Sequence, residues 1–257
     1  MSLKTGPFRY LERGSGPPVL WLHGLFGGPE NWTVTLARLA DRFHGLALQL
    51  PVDYQPQRRP ADLRSIGQLT EYVAHFLAQR GIERTIIGGN SLGGQVALDF
   101  CLRYPQRASQ LVLTGSAGLF EYSLSRKIPR PSEQFIREQT SQIFYDPGYV
   151  TDALVQDIYR MLSDRNYVRF LIRVAKATRD YNVKSELGRL GLPTLIVWGR
   201  QDRITPPKVA HEFQTHIRGA QLVFIERCGH SPPIERPEEF SQVVRDFLCG
   251  KSACADA

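Results

Sequence analysis

A serine in a glycine-rich turn is the side chain of this sequence best suited to covalent chemistry. Residues 89–93 read Gly-Asn-Ser-Leu-Gly, between an apolar run and an amphipathic one. Such a strand–turn–helix elbow lifts the serine hydroxyl clear of a sheet, and the glycines on either side let the backbone pass without collision. The helix N-terminus that follows stabilises developing negative charge. The pattern predicts that Ser91 is a nucleophile.

A serine hydroxyl needs an adjacent base, and two later residues fit that requirement. Asp202 and His230 each follow an apolar run, in the chain order serine, acid, histidine. We expect His230 to take the Ser91 proton and return it to the leaving group, while Asp202 fixes the imidazole tautomer. Two alternatives stay open at this point: Asp202 as a turn residue before Thr-Pro-Pro, and Glu121 as the acid.

Acyl chemistry also needs two donors for the developing oxyanion. One is the backbone N–H of Leu92, directly after the nucleophile. We assign the other to the N–H of Leu25, in the glycine-rich loop that follows the run ending at Leu22. His23 is expected to brace this loop by hydrogen bonds rather than to act in catalysis.

These residues need a sheet to position them, and short apolar runs alternate with helical patterns along most of the chain. The predicted strands are Pro18–Leu22, Leu46–Leu50, Thr85–Ile87, Gln110–Thr114, Thr194–Trp198 and Leu222–Ile225. The predicted helices are Ile66–Arg80, Leu92–Tyr104, Pro207–His216 and Pro237–Leu248. Short buried strands alternating with helices indicate an α/β fold with a mostly parallel, doubly wound sheet.

The alternation stops in the middle of the chain. We expect residues 1–115 and 189–250 to form the core, residues 116–188 to form a helical insertion, and residues 251–257 to form a loose tail. Helical patterns in the insertion cover Glu133–Phe144, Thr151–Leu162 and Tyr167–Thr178. Such an insertion is expected to be a lid over the strand ends, and the alternative is an elaboration that only packs.

Composition bounds the class of partner. The chain has 257 residues, 42% of them hydrophobic, and a formal net charge of +7. Its arginines are scattered without interleaved aromatic residues, which argues against nucleic-acid binding. No apolar run has the length of a membrane span, and the cysteines lack the spacing of a zinc site. We expect a small-molecule substrate, no nucleic-acid or membrane partner, no metal and no other cofactor. The start of the chain lacks a secretion signal, so we expect a cytoplasmic protein, with the oligomeric state open.

As a set, these motifs resemble the α/β-hydrolase superfamily. The resemblance implies a serine hydrolase, and Ser91 argues against the dehalogenases and epoxide hydrolases of this fold, which use aspartate at the elbow. Asn90, together with the stretch from Trp198 to Arg203, is similar to the meta-cleavage-product hydrolases, which cleave carbon–carbon bonds in vinylogous diketo acids. That resemblance implies a substrate-binding role for Asn90. It also implies a lid arginine that grips the substrate carboxylate, among Arg165, Arg169, Arg173 and Arg179.

Departures from that narrower family keep several functions open. It usually has a tryptophan soon after the histidine, where this sequence has Ser231-Pro232-Pro233-Ile234. The first hypothesis is therefore hydrolysis of a small ester-like acyl substrate. The alternative is carbon–carbon bond hydrolysis of a vinylogous diketo acid. A third hypothesis is a ligand-binding protein on the same fold without catalysis.

Overall fold

The computed structural model describes residues 3–56, 60, 62–119 and 131–250. Glu121 and the predicted tail of residues 251–257 lie outside these residues. The strands are β1 (Tyr10–Arg13), β2 (Pro18–Leu22), β3 (His44–Leu48), β4 (Thr85–Asn90), β5 (Ala108–Thr114), β6 (Thr194–Gly199) and β7 (Gln221–Ile225). The helices are α1 (Thr33–Leu39), α2 (Ile66–Gln79), α3 (Leu92–Arg103), α4 (Glu133–Thr140), α5 (Asp152–Ser163), α6 (Arg165–Asp180), α7 (Pro207–His216), α8 (Pro232–Glu235) and α9 (Pro237–Leu248).

The strands form one twisted layer in the order β1-β3-β2-β4-β5-β6-β7. β1 runs antiparallel to β3, and all other neighbouring pairs are parallel. This arrangement confirms the predicted mostly parallel α/β sheet. Because β2 to β7 end at the same edge, the loops that carry Leu25, Ser91, Asp202 and His230 all begin at that edge.

The sheet separates two apolar cores, and β2 shows how its residues are divided between them. Val19 and Trp21 point to the face covered by α1 and α9, whereas Leu20 and Leu22 point to the face covered by α2 and α3. Successive side chains of a strand alternate between faces, so a central strand must be apolar throughout. Each fully buried side chain of this size stabilises the fold by roughly 1.5–3 kcal/mol.

The described part of the segment between β5 and β6 consists of helices and their connections. We call α4, α5 and α6 the inserted helices. The apolar face of α6, which includes Tyr167 and Phe170, joins the core on the sheet face covered by α2 and α3. α4 and α5 instead share a small separate cluster, made of Ile136, Val150, Val155 and Ile158. The insertion is therefore continuous with the main core along α6, and α5 reaches that core through the partly buried Met161 and Leu162 near its end.

A buried carboxylate joins the end of the insertion to helices α2 and α3, which cover one face of the sheet. Asp99 on α3 accepts hydrogen bonds from the Thr70 hydroxyl of α2 at 2.6 Å and from the Tyr181 hydroxyl, directly after α6, at 2.8 Å. Arg103 Nε lies 2.6 Å from the same carboxylate. Hydrogen bonds to a buried charge are stronger than neutral ones, because the alternative is an unsatisfied charge in a poorly solvated place.

We expect Tyr181→Phe to lower the free energy of unfolding by about 1.5–3 kcal/mol, the usual contribution of a hydrogen bond to a charged group. Urea denaturation followed by circular dichroism measures the change. Tyr159→Phe is the matched control, since Tyr159 is an exposed tyrosine of α5. Equal stability of Tyr181→Phe and the wild type would contradict a structural role for the Asp99 cluster.

Candidate active site

Ser91 lies on a tight turn between β4 and α3. Its backbone angles are φ 54° and ψ −118°, a left-handed conformation that is strained for a residue with a side chain. A Cβ atom on Gly93 would lie 2.1 Å from the Leu22 carbonyl oxygen, so only glycine fits there. The elbow predicted from the sequence is thus present, with α3 starting directly after Ser91.

The two predicted oxyanion donors lie on either side of this turn. Leu92 is the first residue of α3, so its N–H has no carbonyl of the same helix to bond. Leu25 occupies a turn closed by a 3.1 Å hydrogen bond from Gly27 N to Gly24 O. The Cβ direction of Gly24 points at Ser91 Cβ, with 3.2 Å between the two positions. Phe26, the next residue of the turn, has φ 64° and an exposed ring.

His23 braces the Leu25 turn from beneath. Its Nε2 atom accepts hydrogen bonds from Leu50 N–H and from the Gln49 amide, each at 2.9 Å. The ring proton therefore lies on Nδ1, which donates to Gly24 O at 2.7 Å. Burial lowers the pKa of His23 from its ordinary value of 6.5, and the bond to Gly24 opposes that shift only in part. A neutral ring suits this place. A protonated Nε2 would itself be a donor, and it would face the two groups that now donate to it.

Asp202 and His230 form a buried pair at the ends of β6 and β7. Asp202 Oδ2 lies 2.9 Å from His230 Nδ1. The other carboxylate oxygen accepts from Ile204 N at 2.8 Å and from Thr205 N at 2.9 Å, which fixes the plane of the carboxylate. The Thr205 hydroxyl donates to Asp202 Oδ2 at 2.9 Å and lies 3.2 Å from His230 Nδ1. This arrangement can orient an imidazole with its Nε2 atom free to accept a proton.

Asn90 connects the serine turn to the histidine loop. Its amide nitrogen donates to Thr114 O at 3.0 Å and to His230 O at 2.9 Å. Its oxygen lies 3.3 Å from the Ser231 hydroxyl, which donates to it. Both amide hydrogens are therefore engaged by backbone carbonyls. The substrate contact expected for Asn90 from the resemblance stays a prediction, whereas its bracing of His230 is a feature of the structure.

Thr205 and Glu235 contribute to the site although the sequence did not single them out. In the sequence, Thr205 is only the first residue of a turn-forming Thr-Pro-Pro stretch. Glu235 is buried at the end of α8, where its carboxylate bonds to the N–H of Gly229 at 2.9 Å. Its signal in the sequence is a carboxylate five residues after the candidate histidine, directly after Pro232-Pro233-Ile234.

The described ranges hold neither a metal-ligand cluster nor a membrane-spanning helix. Within them, no group of three or more His, Cys, Asp or Glu side chains is arranged to hold a metal ion. None of the helices in those ranges has both the length and the hydropathy needed to cross a bilayer.

Comparison with known proteins finds similarity over nearly the whole chain. Residues 19–243 match the model of the alpha/beta hydrolase family. A 2-hydroxy-6-oxononadienedioate/2-hydroxy-6-oxononatrienedioate hydrolase of Cupriavidus pinatubonensis is 35% identical, over 92% of this chain and 89% of that one.

Solved structures give the same picture. A meta-cleavage product hydrolase from Pseudomonas fluorescens has a TM-score of 0.79 and 25% identity, covering 95% of this chain and 94% of that one. A bacterial membrane phospholipase A has a TM-score of 0.81 and 26% identity, covering 95% of this chain and 82% of that one.

The buried neutral ring of His23 predicts a pH dependence of stability. Below the ordinary pKa of 6.5, the unfolded chain takes up a proton at His23 that the folded chain resists. The free energy of unfolding therefore decreases as the pH is lowered below that value. The contribution is at most about 1.4 kcal/mol for each pH unit below that value. Urea denaturation between about pH 7.5 and about pH 5.5 should show a shallower loss in His23→Gln than in the wild type.

His75→Gln is the control for this experiment, because His75 is exposed on α2. It should keep the pH dependence of the wild type. If His23→Gln and His75→Gln behave alike, His23 does not carry the effect.

Proposed function

Because the chain belongs to the α/β hydrolase family, we propose that it is a serine hydrolase that cleaves a carbon–carbon bond in a vinylogous diketo acid. The sequence alone put ester hydrolysis first. The relatives reverse that order, since the Cupriavidus protein and the Pseudomonas structure are both hydrolases of this kind by name. The main support within the molecule is the buried 2.9 Å pair of Asp202 and His230 beside the Ser91 turn. The third hypothesis, a ligand-binding protein without catalysis, is supported neither by these relatives nor by the buried pair.

The first chemical step proposed is addition of Ser91 to the ketone carbon next to the bond that breaks. The Ser91 hydroxyl passes its proton to His230 Nε2 as the new C–O bond forms. The negative charge on the former carbonyl oxygen faces the N–H groups of Leu25 and Leu92. Asp202 stabilises the imidazolium through its bond to Nδ1.

The second step is cleavage of the carbon–carbon bond. The substrate reacts as its keto tautomer, in which the carbon that leaves is saturated. The electron pair of the breaking bond then moves into the adjacent enone, which leaves as a dienolate and takes the proton held by His230. Water, deprotonated by the same His230, then attacks the acyl–Ser91 ester. This releases a carboxylic acid and restores the Ser91 hydroxyl, so one water is consumed for each bond cleaved.

In this proposal Asn90 acts by holding the backbone of the site. Both of its amide hydrogens are bound to the carbonyls of Thr114 and His230, which leaves it no free donor for a substrate. Its contribution is to keep the histidine loop at a constant distance from the serine turn.

The proposed substrate is an anion, and Arg173 is the best candidate to bind its carboxylate. The helix that carries it, α6, is tied at one end to the loop after β3 by the bond from the Tyr167 hydroxyl to Val52 O, 2.9 Å long. At its other end Gln95, in the first turn of α3, donates to Thr178 O at 3.0 Å. α6 therefore lies across the edge of the sheet on which Ser91 stands.

Arg173 differs from the other three arginines considered for this role. Arg165, Arg169 and Arg179 are exposed, whereas Arg173 is half-buried. Its Nε atom is buried and has no hydrogen-bond partner in the part of the chain that the structure describes. The Asp62 carboxylate is 3.9 Å away, which offsets part of the charge without using that N–H. An incompletely bonded guanidinium is suited to a carboxylate.

Ester hydrolysis is the second candidate. It is favoured by the similarity to a membrane phospholipase A and by the stretch that follows His230, which departs from the carbon–carbon hydrolases. The catalytic groups would be the same, because both reactions pass through an acyl–Ser91 intermediate. The two functions differ in the leaving group, and hence in which substrate has the higher kcat/KM.

Incubation with a 2-hydroxy-6-oxo-dienoate should bleach its dienolate absorbance, and Ser91→Ala should slow this by about a thousandfold or more. Ser185→Ala, at an exposed serine, is the control and should match the wild type. A p-nitrophenyl ester is assayed beside it. Ester turnover without bleaching would replace the proposed function by the second candidate, and the absence of both reactions would remove both.

Arg173→Gln should raise KM for the keto acid by about tenfold to a hundredfold, because a hydrogen bond to a charged group contributes about 1.5–3 kcal/mol. Turnover of an uncharged p-nitrophenyl ester should change little. Arg169→Gln, on the exposed side of the same helix, serves as the control. An equal effect of both variants, or an equal effect on both substrates, would contradict carboxylate binding by Arg173.

A further inference from the structure

Glu235 is a buried carboxylate that the mechanism above does not use. It ends α8, and only 3% of it is exposed. Its two oxygens bond in different directions. Oε2 accepts from Tyr145 N at 2.7 Å, and Oε1 accepts from Gly229 N at 2.9 Å and Ser231 N at 3.4 Å. The side chain thus lies between two separate backbone segments.

The two segments belong to different parts of the molecule. Gly229 and Ser231 flank His230 in the loop after β7. Tyr145 lies between α4 and α5, in the insertion. A direct bond of 2.7 Å from His230 N to Ile143 O joins the same segments beside Glu235. The Tyr149 hydroxyl adds a third link, donating to the Glu235 carbonyl at 3.3 Å.

The chemistry of the bridge requires a carboxylate. The two oxygens of the Glu235 side chain each face backbone N–H donors, so both atoms must be hydrogen-bond acceptors. An amide of the same shape has one oxygen and one NH₂, and it leaves one end with a donor facing a donor. Burial raises the pKa of Glu235, and the three backbone N–H groups with Arg236 act against that shift by stabilising the charged form. A hydrophobic residue would leave those N–H groups unsatisfied.

We propose that Glu235 is a positioning residue that fixes the His230 loop against the base of the inserted helices and so keeps the imidazole aligned with Ser91. This inference rests on the proposed roles of Ser91 and His230. Glu235 touches neither a substrate nor the reacting atoms, since its oxygens are directed at backbone donors and at the Cys228 thiol. Its effect on catalysis passes through the backbone on both sides of the histidine.

The test uses reaction of the protein with a fluorophosphonate, which reports activation of Ser91 by its base without any natural substrate. Glu235→Gln keeps the shape and removes one acceptor. It should lower the second-order labelling rate by about tenfold or more, because small misplacements of a catalytic group have effects of this size. With p-nitrophenyl acetate, kcat should fall in parallel while KM stays within about twofold.

Glu239→Gln is the matched control. It lies four residues further along the chain, at an exposed position of α9, and should react with the fluorophosphonate at the wild-type rate. A folded Glu235→Gln protein that labels at the wild-type rate would overturn the inference. So would a variant that changes only KM, because Glu235 would then serve substrate entry rather than the base.

Circular dichroism establishes whether Glu235→Gln folds. If it does not fold, Tyr149→Phe is the variant to test. It removes the hydrogen bond from the Tyr149 hydroxyl to the Glu235 carbonyl and leaves the Glu235 carboxylate in place. A labelling rate reduced by about threefold or more supports the inference, and a rate equal to the wild type overturns it. A wild-type protein that is not labelled at all would instead remove the proposed function, and the inference with it.

Discussion

Backbone segments at the carboxyl edge of the sheet approach each other more closely than side chains allow, and the candidate site depends on this. A Cβ atom on Gly199 would lie 1.9 Å from the Gly229 carbonyl oxygen. A Cβ atom on Gly229 would lie 2.4 Å from the Ile143 carbonyl oxygen. The end of β6, the histidine loop and the insertion are therefore stacked backbone against backbone. With main chains in direct contact, hydrogen bonds between them define position more narrowly than flexible side chains would.

His230 shows the result of this close packing. Its carbonyl accepts from Asn90, its N–H donates to Ile143 O, and its ring is held by Asp202. Strand β4, the insertion and the loop after β6 thus each fix a different atom of one residue. An imidazole held in this way has little freedom to reorient, which is the condition under which fixed groups act most strongly on a neighbouring charge.

The sequence predicted those parts of the fold that depend on local pattern. Apolar runs located the strands from β2 to β7, and proline starts located α7 and α9 with the bounds found in the structure. β3 ends at Leu48 rather than at Leu50, because the Leu50 N–H bonds to His23 instead of a neighbouring strand. β1 was not predicted, since an antiparallel edge strand with mixed residues lacks the continuous apolar signal.

The site could be predicted only where a motif carries the chemistry. Ser91, Asp202 and His230 follow from residue type and chain order, and the structure brings the last two within hydrogen-bonding distance. Thr205 and Glu235 could not be found in this way. Their roles depend on which backbone donors and side chains surround them, and that is a property of tertiary packing. Ranking the four arginines likewise required their burial, which the amphipathic pattern of α6 does not give.

The separate cluster under α4 and α5 has a consequence for how stability is distributed. Local opening of a unit requires a free energy set by the apolar area and hydrogen bonds it must expose. Only four buried side chains, those of Ile136, Val150, Val155 and Ile158, form this cluster among the described residues, whereas α6 shares the main core. By this criterion, opening α4 and α5 costs less free energy than opening α6 or the sheet. The least stabilised part of the described insertion is therefore the part bonded to the histidine loop, through Ile143 and Tyr145.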